Sequence, residues 1–264
     1  MATTAELERL DAAHRAQQVA NTDALARFIV AYWATVKAEN LSATGAEWLR
    51  RVLPAVYAAF RNSARLANGY AVGVRRVQAP GAPPLRLPAL PVPNTEAITK
   101  ALTYTAMVAP AMRAAKEAAL AQPVQTQRPV PSPALMEAAR DASVATAVRH
   151  ATNGARYTVD NVVAADRLAI GYIRVTREDP CYFCAMLASR GAVYKSDSFE
   201  ASNARFTGPG DHKAHDSCHC MLRPVYTPSS AEWPSNTMRF KELWAATGDP
   251  LSFRQAYEGR AKSV

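Results

Sequence analysis

The sequence predicts an α+β protein with a predominantly helical N-terminal half and a small α+β domain further along the chain. Three observations carry this prediction. Apolar residues before position 79 recur at helical spacing, prolines crowd residues 79–93, and apolar residues alternate with polar ones from Ile170. Hydrophobic residues make up 49% of the 264 and charged residues 20%, which is the balance of a globular chain. This composition excludes a disordered chain, a collagen-like fibre and a disulfide-dense mini-protein.

Residues 1–78 are predicted to form an N-terminal helical region of three helices. Helix starts are indicated by three N-cap signals: Thr3-x-x-Glu6, Asn21-Thr22-Asp23 and Thr44-x-x-Glu47. The aromatic residues between and after these signals recur at three- and four-residue steps, so each set shares one helix face. We interpret them as core residues rather than as contacts to a cofactor.

Residues 79–133 are predicted to be two proline-rich straps around a central helix. Six prolines fall within residues 79–93, which excludes a helix there and favours an extended, semi-rigid segment. A helix restarts at Asn94-Thr95 and is expected to run to about Ala121, with a kink at Pro110. A second proline cluster follows at residues 123–133.

Residues 134–228 are predicted to form the small α+β domain. Ser132-Pro133 is typical of an N-cap followed by proline at the first helical position, and this helix is expected to end at Asn153-Gly154. A second helix is predicted over Ala155–Arg167. Strands are predicted over Ile170–Thr176, Ala192–Tyr194 and Met221–Tyr226. Residues 229–264 are predicted to be a C-terminal helical tail that docks through Trp233, Phe240 and Trp244.

Soft metal ligands are concentrated in residues 181–220. All four cysteines lie there, as Cys181-x-x-Cys184 and Cys218-x-Cys220, and His215 precedes the second pair by three residues. Zinc favours four thiolate or imidazole ligands supplied as close pairs from two chain segments. The sequence therefore predicts one structural zinc ion, held by Cys181, Cys184, His215 and either Cys218 or Cys220.

Other chemistries fit these residues less well. A disulfide pair is the simplest alternative, but the chain shows no export signal, and cytosolic thiols normally stay reduced. Pro180-Cys181-x-x-Cys184 matches half of the nucleotide-deaminase zinc signature, whose His-x-Glu half does not occur in the sequence. A metal-dependent nuclease acting on DNA through Asp211, His212 and His215 stays open as an alternative, although zinc with four protein ligands has no open position for water.

The motifs of this region resemble a known family. They run Gly171-Tyr-Ile-Arg-Val, Asp179-Pro-Cys181-Tyr-Phe-Cys184, Arg190-Gly-Ala-Val-Tyr194, His215-Asp-Ser-Cys218-His-Cys220 and Pro224-Val225. In this order they are similar to the MuF-like minor head proteins of tailed phages, of the type found in phages that infect actinobacteria. The resemblance covers about residues 134–228.

The resemblance implies a structural minor capsid protein that takes part in head morphogenesis or genome delivery. It implies a location in the virion, inside the head at the portal vertex, after assembly in the host cytoplasm. The implied partners are the portal and the major capsid protein, with non-specific contact to packaged DNA. No catalysis is implied, and no catalytic residue is assigned.

Charge and composition indicate where partners would bind. The formal net charge is +9, and residues 1–133 hold an excess of seven basic side chains, which suits an acidic protein face or nucleic acid. No apolar stretch reaches the roughly 20 residues of a membrane span. We expect docking through the N-terminal helices and straps, because their apolar side chains exceed what these segments could bury alone: Trp33, Trp48, Tyr57, Phe60, Leu85, Leu87 and Leu90.

Overall fold

The chain folds into long packed helices and a two-stranded sheet. The computed structural model describes residues 4–121, 129–189, 191, 220–227 and 234–261. Within these ranges the helices are α1 (Thr4–Trp33), α2 (Leu41–Gln78), α3 (Thr95–Thr103), α4 (Ala109–Ala121), α5 (Pro133–Ala165), α6 (Tyr182–Ala188), α7 (Ser235–Thr247) and α8 (Pro250–Ala261). The strands are β1 (Gly171–Val175) and β2 (Met221–Val225). The α+β class is therefore confirmed, with helix dominating.

The main core lies where α1, α2, α3 and α5 meet. Ile29, Trp48, Val52 and Leu102 are fully or almost fully buried in one cluster with small residues of α5. The expectation that Trp33, Trp48 and Phe60 are surplus apolar surface is wrong, because all three are buried. Trp33 and Trp48 lie in the core cluster to which α1, α2, α3 and α5 contribute, and the Phe60 ring lies 6.1 Å from the Tyr157 ring of α5. Core residues come from all three of the predicted segments 1–78, 79–133 and 134–228. The boundaries between these segments stay a prediction.

The first helix is longer than predicted. α1 continues through Asn21-Thr22-Asp23, so the predicted cap there is wrong. The Thr22 hydroxyl donates to the Gln18 carbonyl within α1. The side-chain amide of Asn21 donates to the Ala59 carbonyl of α2 at 2.9 Å. These side chains therefore form hydrogen bonds within α1 and from α1 to α2, and they do not cap a helix.

The predicted capping box at Thr44 is also wrong. α2 begins at Leu41, and the Thr44 hydroxyl accepts from the Lys37 amide and donates to the Asn40 carbonyl. Glu47 pairs instead with Arg50 and Arg51 on the exposed face of α2. Thr3 of the first predicted box lies outside the described residues.

The first strap and the central helix follow the prediction. Residues 82–94 form neither helix nor strand, and the Asn94 side chain caps α3 by accepting from the Ala97 amide at 2.9 Å. A π-helical turn over Tyr104–Val108 joins α3 to α4 and ends two residues before Pro110. Proline has no N–H and crowds the preceding turn, so the widened turn accommodates the predicted disturbance without ending the helix.

α5 is a single helix where two were predicted. The Ser132 side chain caps it as expected, accepting from the Leu135 amide at 3.3 Å, but the helix passes through Asn153-Gly154 and ends at Ala165. Gly154 sits at the crossing with α2, where a Cβ atom would lie 2.1 Å from the carbonyl oxygen of Phe60. The glycine therefore serves close helix packing, not a helix end.

β1 and β2 pair antiparallel, with Gly171 opposite Val225 and Val175 opposite Met221. Both strands were predicted, but every residue in them is buried instead of alternating. Tyr172 and Leu222 pack against Val159 and Val163 of α5. The predicted strand Ala192–Tyr194 lies outside the described residues.

The C-terminal helices pack on α6. Phe240, Leu243 and Phe253 form one buried cluster with Ala185 and Ala188 of α6. Trp244 packs partly buried against the same cluster, so two of the three predicted docking residues dock as expected. Trp233 lies outside the described residues.

Candidate metal centre

The Cys181-x-x-Cys184 pair sits at the start of α6. Cys181 is the N-cap residue, with extended backbone angles, and its sulfur accepts a hydrogen bond from the Cys184 amide at 3.4 Å. Amides at a helix N-terminus point outward and favour negative charge, so they suit a thiolate. Cys184 lies one turn on and is 2% exposed. The turn thus presents two sulfur atoms from one short segment.

The C-terminal helices hold this turn in place. The Tyr257 hydroxyl of α8 donates to the carbonyl of Pro180, the residue before Cys181. Burial raises the pKa of this hydroxyl, and Asp179 and the two cysteines add to the rise, while Arg239 opposes it. The Arg254 guanidinium lies over the Tyr182 ring at 4.8 Å. Elements more than seventy residues further along the chain therefore fix the orientation of the cysteine turn.

Cys220 reaches the same place from the other side. It directly precedes β2 and is 6% exposed, and it packs with Cys184 and Cys181 in one cluster. Its backbone carbonyl accepts from the Arg156 guanidinium of α5 at 3.3 Å. The same guanidinium donates to the side-chain oxygen of Asn153 at 2.7 Å and to the Thr152 hydroxyl at 3.0 Å, which fixes its position. The position of Cys220 is therefore tied to α5 as well as to the sheet.

Three of the five predicted ligands are thus brought together. The other two, His215 and Cys218, lie outside the described residues, as do Asp211 and His212 of the nuclease alternative. In the ranges that the structure describes, no three His, Cys, Asp or Glu side chains are arranged closely enough to hold a metal ion. Among the described residues the cysteine cluster is therefore a packing contact of three thiols, and thiolate sulfur is a donor type that zinc accepts.

A second buried polar cluster was not predicted from the sequence. Asp11 of α1 accepts from the Tyr70 hydroxyl of α2 and from the Arg223 guanidinium of β2, the latter at 3.0 Å. The two ionic side chains are 8% and 1% exposed. Burial raises the pKa of Asp11, although Arg223 and the Tyr70 hydrogen bond act to lower it. His14 stacks on the Tyr70 ring at 4.3 Å.

A signal for this cluster exists in α1. The buried residues of that helix are Leu7, Asp11, His14, Gln18, Thr22, Leu25, Ile29 and Trp33, a stripe of three- and four-residue steps. Four consecutive members of a stripe that normally faces the core are polar. Buried polar side chains require hydrogen-bond partners, so a polar run within such a stripe indicates a buried network.

The comparisons with known proteins agree with part of the resemblance. The family model described as VG15 protein matches residues 1–247. The chain belongs to this family. VG15 denotes viral gene protein 15, so this is a phage-encoded protein. No curated protein and no solved structure matches the chain.

The family match is broader than the motifs from which a phage protein was predicted. It runs from α1 through α7, whereas the MuF-like resemblance covers only about residues 134–228. The family therefore includes the helical core and the first strap together with the cysteine turn. No helix in the described ranges is both long and apolar enough to cross a membrane.

Proposed function

We propose that this phage protein is a structural minor capsid protein of the MuF-like kind, acting in head morphogenesis or genome delivery. It is bound inside the head near the portal and carries out no catalytic step. Its family supports a phage role, and the meeting of Cys181, Cys184 and Cys220 supports the finer assignment. These are three of the four cysteines of the motif that resembles MuF-like proteins. The clustering is the observation that carries the proposal.

The proposal includes one structural zinc ion. Its ligands are four of Cys181, Cys184, His215, Cys218 and Cys220, and the three of these that the structure describes, Cys181, Cys184 and Cys220, pack together. When bound, zinc cross-links the two chain segments without offering an open coordination position. The helix start at Cys181, the Tyr257 contact and the Arg156 contact position the cysteines for this role.

The strap over residues 82–94 is the proposed docking segment for the portal or the major capsid protein. Leu87 is 38% exposed, Leu90 37% and Val92 81%, so apolar side chains lie on the surface of a segment with little packing of its own. Ordering a flexible segment costs about 1–2 kcal/mol per residue. Prolines reduce that cost because they restrict the unbound chain. Packaged DNA is a further, non-specific partner, consistent with the basic excess of residues 1–133.

The test of location uses purified particles. A phage carrying an internal epitope in this protein is grown, and empty heads, full virions and tails are separated and blotted. We expect the protein in both kinds of head and not in tails. Protease should digest it only after the particles are opened, whereas an exposed tail protein is cut in both states. A protein found in infected cells but not in any particle contradicts the proposal.

The test of chemistry addresses the enzyme alternative. The reduced full chain is incubated with plasmid DNA and Mg²⁺, Mn²⁺ or Zn²⁺. We expect intact plasmid under every condition. Cleavage that disappears in a His212→Ala variant would establish the nuclease instead and remove the structural assignment.

A further inference from the structure

A small cleft lies between α1 and α5, with the start of β2 at one end. Its walls include His14, Arg15 and Val19 from α1, Arg156 and Val159 from α5, and Cys220. The free volume inside is about 30 Å³, which gives room for about two water-sized groups, such as the two oxygen atoms of a carboxylate. The cleft is partly open to solvent, and Val19 at its side is 41% exposed.

Two hydrogen-bonding atoms of consecutive residues in this wall lack a partner among the described residues. They are Nδ1 of His14, a side chain that is 2% exposed, and one terminal nitrogen of Arg15. The other terminal nitrogen of Arg15 donates to the Thr176 carbonyl at 2.8 Å, which fixes the guanidinium. Leaving a buried polar atom without a partner is costly, and more so for a charged group.

The charge of the cleft is one-sided. Arg15 and Arg156 lie in its walls, and no Asp or Glu is among the described residues that line it. The Asp11 carboxylate, three residues before His14 on α1, is already engaged by Tyr70 and Arg223. Burial and the neighbouring Arg15 lower the pKa of His14 to about 4, so the imidazole is neutral near pH 7. A neutral imidazole can donate one hydrogen bond without adding a third charge.

We propose that this cleft binds a carboxylate group carried on a short apolar stem. This is the chemistry of a glutamate or aspartate side chain of a partner protein, and equally of a small organic acid. Arg15 and His14 supply the donors, and Ala155, Val159 and Leu222 supply apolar walls for the stem. A phosphate would bring more charge and more oxygen atoms than a carboxylate, and oxygen atoms placed against Ala155, Val159 and Leu222 would lose their hydration without gaining a hydrogen bond there. The inference is independent of the proposed virion role.

The experiment is calorimetric titration of the full chain with small probes at constant ionic strength. The probes are acetate, propionate and N-acetylglutamate amide, with propionamide as the uncharged match to propionate and inorganic phosphate as the competing anion. We expect weak saturable binding of the carboxylates and none of propionamide. Binding of N-acetylglutamate amide as strong as that of propionate assigns the cleft to a partner's side chain, and binding of the free acids alone assigns it to a small molecule. Both results support a carboxylate site.

Variants locate the binding. Arg15→Gln should weaken propionate binding roughly tenfold or more, because it removes a charged hydrogen bond. Val19→Phe should block the open side of the cleft and abolish binding while the fold is retained. Arg9→Gln is the matched control, since Arg9 is an exposed arginine of the same helix that donates only to the Ala5 carbonyl among the described contacts. Binding of phosphate in preference to propionate, binding of no probe, or an equal effect of Arg9→Gln overturns the proposal.

Discussion

Gly154 of α5 lies directly against the carbonyl oxygen of Phe60 in α2, with 2.1 Å between that oxygen and the position of an added Cβ. The neighbouring Ala64 amide nitrogen would be 3.2 Å away. Both contacts are backbone atoms of a helix and cannot move aside as a flexible side chain could. The two helices that carry most of the core therefore depend on this glycine for their separation.

We predict that Gly154→Ala destabilises the protein by about 1–3 kcal/mol or more, because the helices must separate to admit one methyl group. Gly69→Ala is the control. Gly69 lies on the exposed face of α2, and an added Cβ there meets nothing within 4 Å. This change should stabilise by about 0.5–1 kcal/mol through helix propensity. Urea unfolding of both variants measures the difference, and equal effects would contradict the close crossing.

The buried pair Asp11–Arg223 gives the second prediction. Asp11→Leu should cost about 3–5 kcal/mol, because it leaves the Arg223 charge buried without its carboxylate. The double variant Asp11→Leu/Arg223→Met should recover much of the loss, since no buried charge of the pair then remains. Glu137→Ala, which removes an exposed partner of Arg140, should change stability little. A double variant no more stable than Asp11→Leu would show that packing, not charge, sets the cost.

The buried His14 side chain gives the third prediction, a dependence of stability on pH. Its pKa is about 4 in the folded protein against an ordinary value of 6.5, so the unfolded chain binds the extra proton more readily. The contribution of His14 to the free energy of unfolding should therefore be complete above pH 6.5. It should be lost as the pH falls towards 4, a total of about 3 kcal/mol. His14→Phe keeps a ring to stack on Tyr70 but does not titrate. Thermal unfolding from pH 7 to 4 should show a shallower fall for His14→Phe, and parallel curves would refute the assignment.

Zinc removal gives a fourth prediction. Reduced full-length protein purified without chelator should contain about one equivalent of zinc by elemental analysis. A strong chelator should lower its melting temperature, because metal binding energy is also folding energy. Cys181→Ser should bind less zinc and melt at the lower temperature with or without chelator. Met186→Leu, a change within the same helix α6, serves as the packing control and should retain the metal. Less than half an equivalent in the unmodified chain would remove the zinc proposal.

The strap gives the fifth prediction. Replacing Leu87, Leu90 and Val92 together by serine should leave the melting temperature almost unchanged, because all three side chains are already exposed. The same variant should enter phage heads at a clearly reduced copy number. Leu251→Ser removes an apolar side chain that is 65% exposed on α8 and should enter normally. Normal incorporation of the strap variant would assign docking to another surface.

Capping residues and alternating patterns predict those parts of the fold that depend only on residues close together in the sequence. The Asn94 and Ser132 caps and both strands lie where the sequence places them, since caps and alternating residues act over a few positions. Asn153-Gly154 has the sequence of a helix end, because nothing local distinguishes a capping glycine from one at a helix crossing. That distinction depends on Phe60, ninety-four residues earlier in the chain.

At the candidate site, too, part of the arrangement can be predicted from the sequence and part cannot. The spacing of the ligands predicts that Cys181 and Cys184 meet His215 and either Cys218 or Cys220, and the structure packs Cys181, Cys184 and Cys220 together. The groups that support them, Tyr257 and Arg156, carry no local signature. Each acts through a contact with a backbone carbonyl of another element, of Pro180 and Cys220 respectively, and neither carbonyl can be predicted from the type of residue that bears it.

The Asp11–Arg223 contact joins positions 212 residues apart. During synthesis α1 emerges before β2, so its buried aspartate has no guanidinium partner from β2 until residue 223 has left the ribosome. Contacts of such long sequence separation slow folding, because a large loop must close before they contribute. We therefore expect nascent chains that stop before residue 223 to hold α1 loosely, and the first helix to become protected from protease only when β2 has been made.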